Sequence, residues 1–265
     1  MVNKPSDYVF NSRNECDRLE RQAVLQGNEQ HLRHFHVDPG ARVLEAGCGS
    51  GAMARLLAVQ YPTAEVLGVD VNPEYIAYAA RRAHTAGLRN LSFQVGDLED
   101  LPLPDTSFDV IWSHLVLFFL PKPELALKEF LRLLRPGGQV RIALHDETFL
   151  TNHPEDSHLQ ERLEQVIPKL GDVRLSRKLP LMLRDLGFNN VSVTVELDTI
   201  YTVIGAVNID QRRNVEELLT SALTRISTIL GSQQAANDFK SDLLSYLDRS
   251  DTSSYTTLWI VGGTK

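Results

Sequence analysis

Short apolar runs, each closed by glycine or a carboxylate and followed by a longer amphipathic stretch, recur from about residue 41 to 145. This rhythm predicts strands alternating with helices, the pattern of a parallel sheet covered on both faces. Val43 to Ala46 feeds into glycines at 47, 49 and 51, and a helix follows from Ala52 to Tyr61. The run from Ala64 ends at Asp70, and Asn72 with Pro73 marks a helix start, an N-cap followed by proline at the first helical position, leading into Glu74 to Gly87. Leu91 to Val95 ends at Gly96, Asp97 and Leu98, and a fourth run covers Asp109 to Trp112. After a fifth strand ending near His145, the pattern predicts an inserted helix within 148–170, a helix from Leu179 to Leu186 stopped by Gly187, and a strand from Val191 to Val203. Residues 208–249 read as two helices divided near Gly231, and Tyr255 to Val261 as a final strand.

The loop from Gly47 to Gly51 carries the first candidate chemistry. Glycine adopts positive φ without strain and has no Cβ to keep a ligand away, and the helix after it points amides at the loop. Gly47, Gly49 and Ala52 also fit a relaxed dinucleotide fingerprint, so the loop alone does not say which nucleotide-like ligand is meant. Asp70 lies 19 residues beyond Gly51, at a strand end where a carboxylate can hold ribose hydroxyls. Its alternative role, capping the next helix, is already filled by Asn72. Glu45, inside an apolar run, needs a buried partner.

Taken in order, VLEAGCGSG (43–51), GVDVN (68–72), VGDLEDLPLPDTSFDVIWS (95–113), LRLLRPGGQV (131–140) and RKLPLMLRDLGFNNVSV (177–193) resemble the class I S-adenosylmethionine-dependent methyltransferases, in particular the branch acting on small molecules. The resemblance implies an α/β, Rossmann-like fold: a seven-stranded, mostly parallel sheet with helices on both faces, its last strand antiparallel, plus helical insertions. It implies a single domain over 1–265, with an N-terminal helical lid (1–38), a cofactor-binding core (39–147) and insertions at 148–175 and 204–253, the latter at a sheet edge as a substrate lid or dimer surface. S-adenosylmethionine (SAM) would be the cofactor. Gly47 with Glu45 beneath the loop would approach its methionine part, with Cys48, Gly49 and Gly51 completing the loop. Asp70 would hold the ribose, Val71 would lie against adenine, Asp97 would accept the adenine amino group and Leu98 would cover the ring. Ser113 would border the methionine moiety, and Tyr8 of the lid would line the pocket beside the sulfonium. Where many relatives carry a Glu-His pair after the fourth strand, this chain has Phe118 and Phe119.

The implied reaction is in-line displacement on a small-molecule methyl acceptor. A base would help if the acceptor is a hydroxyl or carbon acid; His145 and Asp146 at the end of the fifth strand, then His114, are best placed. A nicotinamide-dependent oxidoreductase and a non-catalytic SAM-binding or scaffolding protein remain as alternatives. His31, His34 and His36 are spaced by three and two residues, which does not put all of them on one helix face, so no metal site is expected. The 265 residues are 43% hydrophobic, enough for one full core. A net charge of −7 argues against nucleic acid as partner. Two cysteines, Cys16 and Cys48, with no signal-peptide pattern or long apolar span, suit a reducing, cytoplasmic setting without membrane association.

Overall fold

The computed structural model describes residues 14–34 and 36–265. Helix α1 (Glu15–Leu25) and a 3-10 segment (Asn28–His34) lead into β1 (Arg42–Ala46), α2 (Ala52–Gln60), β2 (Glu65–Asp70), α3 (Pro73–Thr85), β3 (Leu91–Val95) and β4 (Phe108–His114). A 3-10 turn (Leu117–Phe119), α4 (Pro123–Leu133) and β5 (Leu134–Asp146) follow. The chain continues through β6 (Asn152–His153), α5 (Ser157–Leu170), α6 (Leu175–Leu186), β7 (Asn189–Leu197), β8 (Val203–Ile204), α7 (Ile209–Leu230), α8 (Gln233–Leu247), β9 (Ser253–Ser254) and β10 (Thr257–Thr264).

The main sheet has seven strands in the order β3-β2-β1-β4-β5-β10-β7. The first five are parallel, and β10 runs antiparallel to both its neighbours. The order reverses between β1 and β4, so their C-terminal ends splay apart and open a crevice, the usual ligand position in such sheets. Because β1 and β4 are buried on both faces, alternate residues serve two cores. Leu44, Ala46 and Ile111 pack with Leu127 and Phe130 of α4 and Leu179 of α6. Val43, Val110 and Trp112 pack on the other side with Met53 and Leu57 of α2. Asn72 is the predicted cap: its side chain accepts from the Glu74 amide at 2.9 Å, with Pro73 in the first turn.

Two expectations about the C-terminal half are corrected. The strand foreseen from Val191 to Val203 stops at Leu197. There the Asp198 Oδ1 accepts the backbone amides of Ile200 and Tyr201, both at 2.9 Å, and this local turn outcompetes the sheet ladder despite the apolar alternation around it. The 204–253 segment does not sit at the sheet edge. Helix α7 packs on α1 and α5, and α5, α7 and α8 share a third apolar core that includes Leu163, Leu219 and Phe239. Strands β6, β9 and β8 form a small antiparallel sheet that ties the two inserted segments together. Among the described residues, no helix is long and apolar enough to cross a membrane.

Candidate functional site

A cavity of about 700 Å³ lies at the C-terminal ends of β1, β2, β4 and β5, roofed by α1, α5 and α7. It brings together Glu45, Gly47, Cys48, Gly49, Asp70, Val71, Asp97, Leu98, His114 and His145. Gly51 is not in its wall. Ser113 is fully buried between strands, its hydroxyl donating to the Ala46 carbonyl at 3.0 Å, and so does not border the cavity. Asp146 is likewise turned away: Ser176 and Arg177 hold its carboxylate at 2.7–3.0 Å, because adjacent strand residues point to opposite faces. Tyr8 lies outside the described residues.

The glycine loop is built for its own packing as much as for a ligand. Gly47, Gly49 and Gly51 all take positive φ. A Cβ on Gly47 would stand 2.4 Å from Val116 Cγ2, and one on Gly49 would meet Leu19 of α1 at 3.1 Å. Gly47→Ala should therefore combine a strained φ with a clash, costing about 2–4 kcal/mol. At roughly 2–4 °C per kcal/mol for a chain of this size, a thermal melt should fall several degrees.

Most of the loop's amides are spent internally. Gly47 and Cys48 donate to the Val69 carbonyl, Gly49 to Asp70 Oδ2 and Gly51 to the Cys48 carbonyl, all at 2.8–2.9 Å. A dinucleotide's pyrophosphate relies on such amides, and the groups around them here are carboxylates: Glu45, Asp70 and Asp97. That set rejects phosphate and suits a ligand with a cationic end and hydroxyl or amino donors. Glu45 sharpens the point. Burial pushes its carboxyl well up against the pull of the Ala54 amide, and its Oε2 has no hydrogen-bond partner. Asp70 is also raised by burial, while the amides of Asn72 and Gly49 oppose that shift.

The opposite wall holds a dyad. His145 Nε2 lies 2.9 Å from Asp198 Oδ2, which also accepts from Gln26, the residue just past the end of α1, at 2.9 Å. Both groups are buried. Burial alone would raise Asp198, but the nearby His145 imidazole, with the Tyr201 amide and Gln26, brings it down to about 2. Asp198 was not among the sequence candidates, because it is 53 residues from His145 and sits in an apolar alternation. In the sequence Asp198 follows Glu196 on the polar side of that alternation, so nothing local sets it apart.

His114 lines the cavity at the end of β4, and its ring lies 5.1 Å from that of His31. Burial pushes His114 well below the usual imidazole range and His31 down to about 4, so both are neutral in the fold. Between about pH 6.5 and 4 the unfolded chain binds the protons that the folded His31 refuses, so stability should decline as pH falls through that window. Melts from pH 7 to 4 should show the decline, and His31→Gln should lessen it, with the neutral His114 accounting for what remains.

Residues 44–142 match the family model described as a methyltransferase domain. The chain is 30% identical over 198 residues, covering 66% of itself and 75% of the relative, to the probable phthiotriol/phenolphthiotriol dimycocerosates methyltransferase 2 of Mycobacterium ulcerans. It is 41% identical over 125 residues to the fatty-acid O-methyltransferase of Mycolicibacterium smegmatis, covering 47% of this chain and 43% of that one. The chain spans less than half the length of several curated relatives it matches. Its fold is similar to that of phosphoethanolamine N-methyltransferase 2 of Haemonchus contortus, solved with S-adenosyl-L-methionine, at a TM-score of 0.63 and 21% identity over 100% of this chain and 60% of that one.

Proposed function

The chain belongs to the S-adenosylmethionine-dependent methyltransferases, and from that premise we propose that it transfers the methyl group of SAM to an oxygen nucleophile of a small molecule. The observation that carries this reading is the cavity itself, which faces an acidic, phosphate-averse cofactor half toward the His145–Asp198 dyad. Bound there, SAM would supply a methyl already activated on a sulfonium, and the chain's own residues supply binding, alignment and a proton acceptor.

Glu45 Oε2, otherwise unsatisfied, would take the ammonium of the methionine part. Asp70 would accept the ribose hydroxyls with the lone pairs its two backbone amides leave open, and Val71, Asp97 and Leu98 would enclose the base. Asp198 fixes His145 in the tautomer with hydrogen on Nε2, which leaves Nδ1 as the proton acceptor. Gln26 and His145 then converge as two donors on one carboxylate oxygen. An acceptor hydroxyl losing its proton to Nδ1 would attack the methyl in line, and holding the two partners in that alignment contributes roughly 7–11 kcal/mol. Closure by α1, which places Arg18, Leu19, Gln22 and Gln26 in the cavity wall, would keep water out.

Calorimetric titration with S-adenosylhomocysteine and with NADH tests the cofactor. The expected result is micromolar binding of the first and none of the second; the reverse would restore the oxidoreductase. A scaffold that only binds SAM has no use for a buried histidine–carboxylate pair facing the ligand, and this favours the enzyme.

A further inference from the structure

The half of the cavity away from the glycine loop is apolar, walled by Phe118, Phe119, Ile167, Leu170, Leu218 and Leu219. Its rim is cationic. Lys169 ends α5, Arg225 stands on α7, and both line the cavity and are exposed. Arg225 Nη2 donates to the Lys169 backbone carbonyl at 3.3 Å, which sets the guanidinium beside the Lys169 backbone at the rim. The nearest helical positions offer them no carboxylate: Gln165 and Val166 precede Lys169, while Ser221, Ala222, Thr228 and Ile229 surround Arg225. Asp172, the one acid among the described residues that lines this end, is held by Lys178 Nζ at 2.6 Å and by the Arg174 amide. In a chain of net charge −7, two positive charges with no partner acid among the described residues, at the mouth of an apolar chamber, mark a place where an anion gains and an uncharged ligand gains nothing.

We infer that this chamber takes an amphipathic anion, its apolar body against the Phe118, Phe119 and Leu218 walls and its carboxylate, sulfonate or phosphate between Lys169 and Arg225. Naming that anion as the methyl acceptor, with a second polar group facing His145, rests on the methyltransferase reading; the anion site does not. The geometry favours a ligand long enough to reach from rim to dyad, with charge at the outer end and the reacting oxygen at the inner one.

The test compares two fluorescent probes of similar aromatic body, the anionic 1-anilinonaphthalene-8-sulfonate and the neutral N-phenyl-1-naphthylamine, in the presence and absence of S-adenosylhomocysteine. The variant is Lys169→Ala/Arg225→Ala, whose positions are exposed and outside the dyad and the cofactor wall. Affinity for the sulfonate should fall about tenfold or more in the double variant, while the neutral probe changes less than twofold. Salt should weaken only the sulfonate. An unchanged sulfonate affinity, or an equal loss of both probes, overturns the inference. Failure of S-adenosylhomocysteine to bind the wild type would overturn the methyltransferase reading instead, and the probe comparison would still decide the anion site.

Discussion

Asp70→Ala should remove S-adenosylhomocysteine binding by a factor of about 10²–10⁴. The carboxylate has two roles. In the proposed site it would accept the ribose hydroxyls, and its oxygens hold the Gly49 and Asn72 amides at 2.9 Å each, tying the glycine loop to the start of α3. Charge-assisted hydrogen bonds contribute roughly 1.5–3 kcal/mol each, and losing two of them corresponds to that range of affinity. Since alanine also frees two backbone donors near the cavity, Asp70→Asn provides the control. It keeps one carbonyl oxygen to accept one of the two amides and leaves the other facing an NH2 donor, so it should melt between wild type and Asp70→Ala while binding far more weakly than wild type. Calorimetry on both variants decides the matter. Wild-type affinity in Asp70→Ala would exclude Asp70 as a cofactor ligand.

His145→Ala should lower kcat by about 10²–10⁴ and leave S-adenosylhomocysteine affinity within twofold, because in the proposed reaction the imidazole takes the acceptor's proton and does not hold the cofactor. The readout is isotopic methyl transfer to an acceptor found among hydroxylated apolar acids. Asp198→Asn is the sharper probe. It preserves shape but no longer selects the Nε2–H tautomer, so turnover should drop by at least tenfold with little change in KM. The held-down Asp198 stays ionised at every working pH, and its contribution to stability is lost only in strong acid, as pH falls below the unfolded carboxyl range through about 2. A variant that turned over normally without His145 would leave positioning alone as the source of rate.

The glycine-loop half of the cavity was legible because its instructions are local. A strand must end in positive-φ glycines to turn into α2 against Val116 and Leu19, a carboxylate must stand at the end of β2, and Asn72-Pro73 must open the next helix. Each device spans a few residues of VLEAGCGSG or GVDVN, so spacing along the chain is also spacing in space. Ser113 and Asp146 show where that logic fails. Both sit at strand ends, as a site residue should, yet one donates to a neighbouring strand and the other is claimed by Arg177. Which neighbours a side chain finds is not written in its own strand.

The opposite wall depends on contacts that cross long stretches of chain. His145 is paired with Asp198, which comes near only because a side-chain turn stops β7 and because β10 carries β7 into the sheet. Gln26 reaches the same carboxylate from a helix that precedes the first strand. Lys169 and Arg225 meet where two insertions pack on a core of their own. By itself the sequence determined the alternation of strands and helices, the glycine loop, the capped helix after Asp70 and hence the family. Only the tertiary structure decided which cavity histidine has a carboxylate behind it, which acids leave the cavity and where its rim cations stand. Local backbone preferences act over a few bonds, whereas burial and charge pairing are settled by whatever the fold brings within a few ångströms.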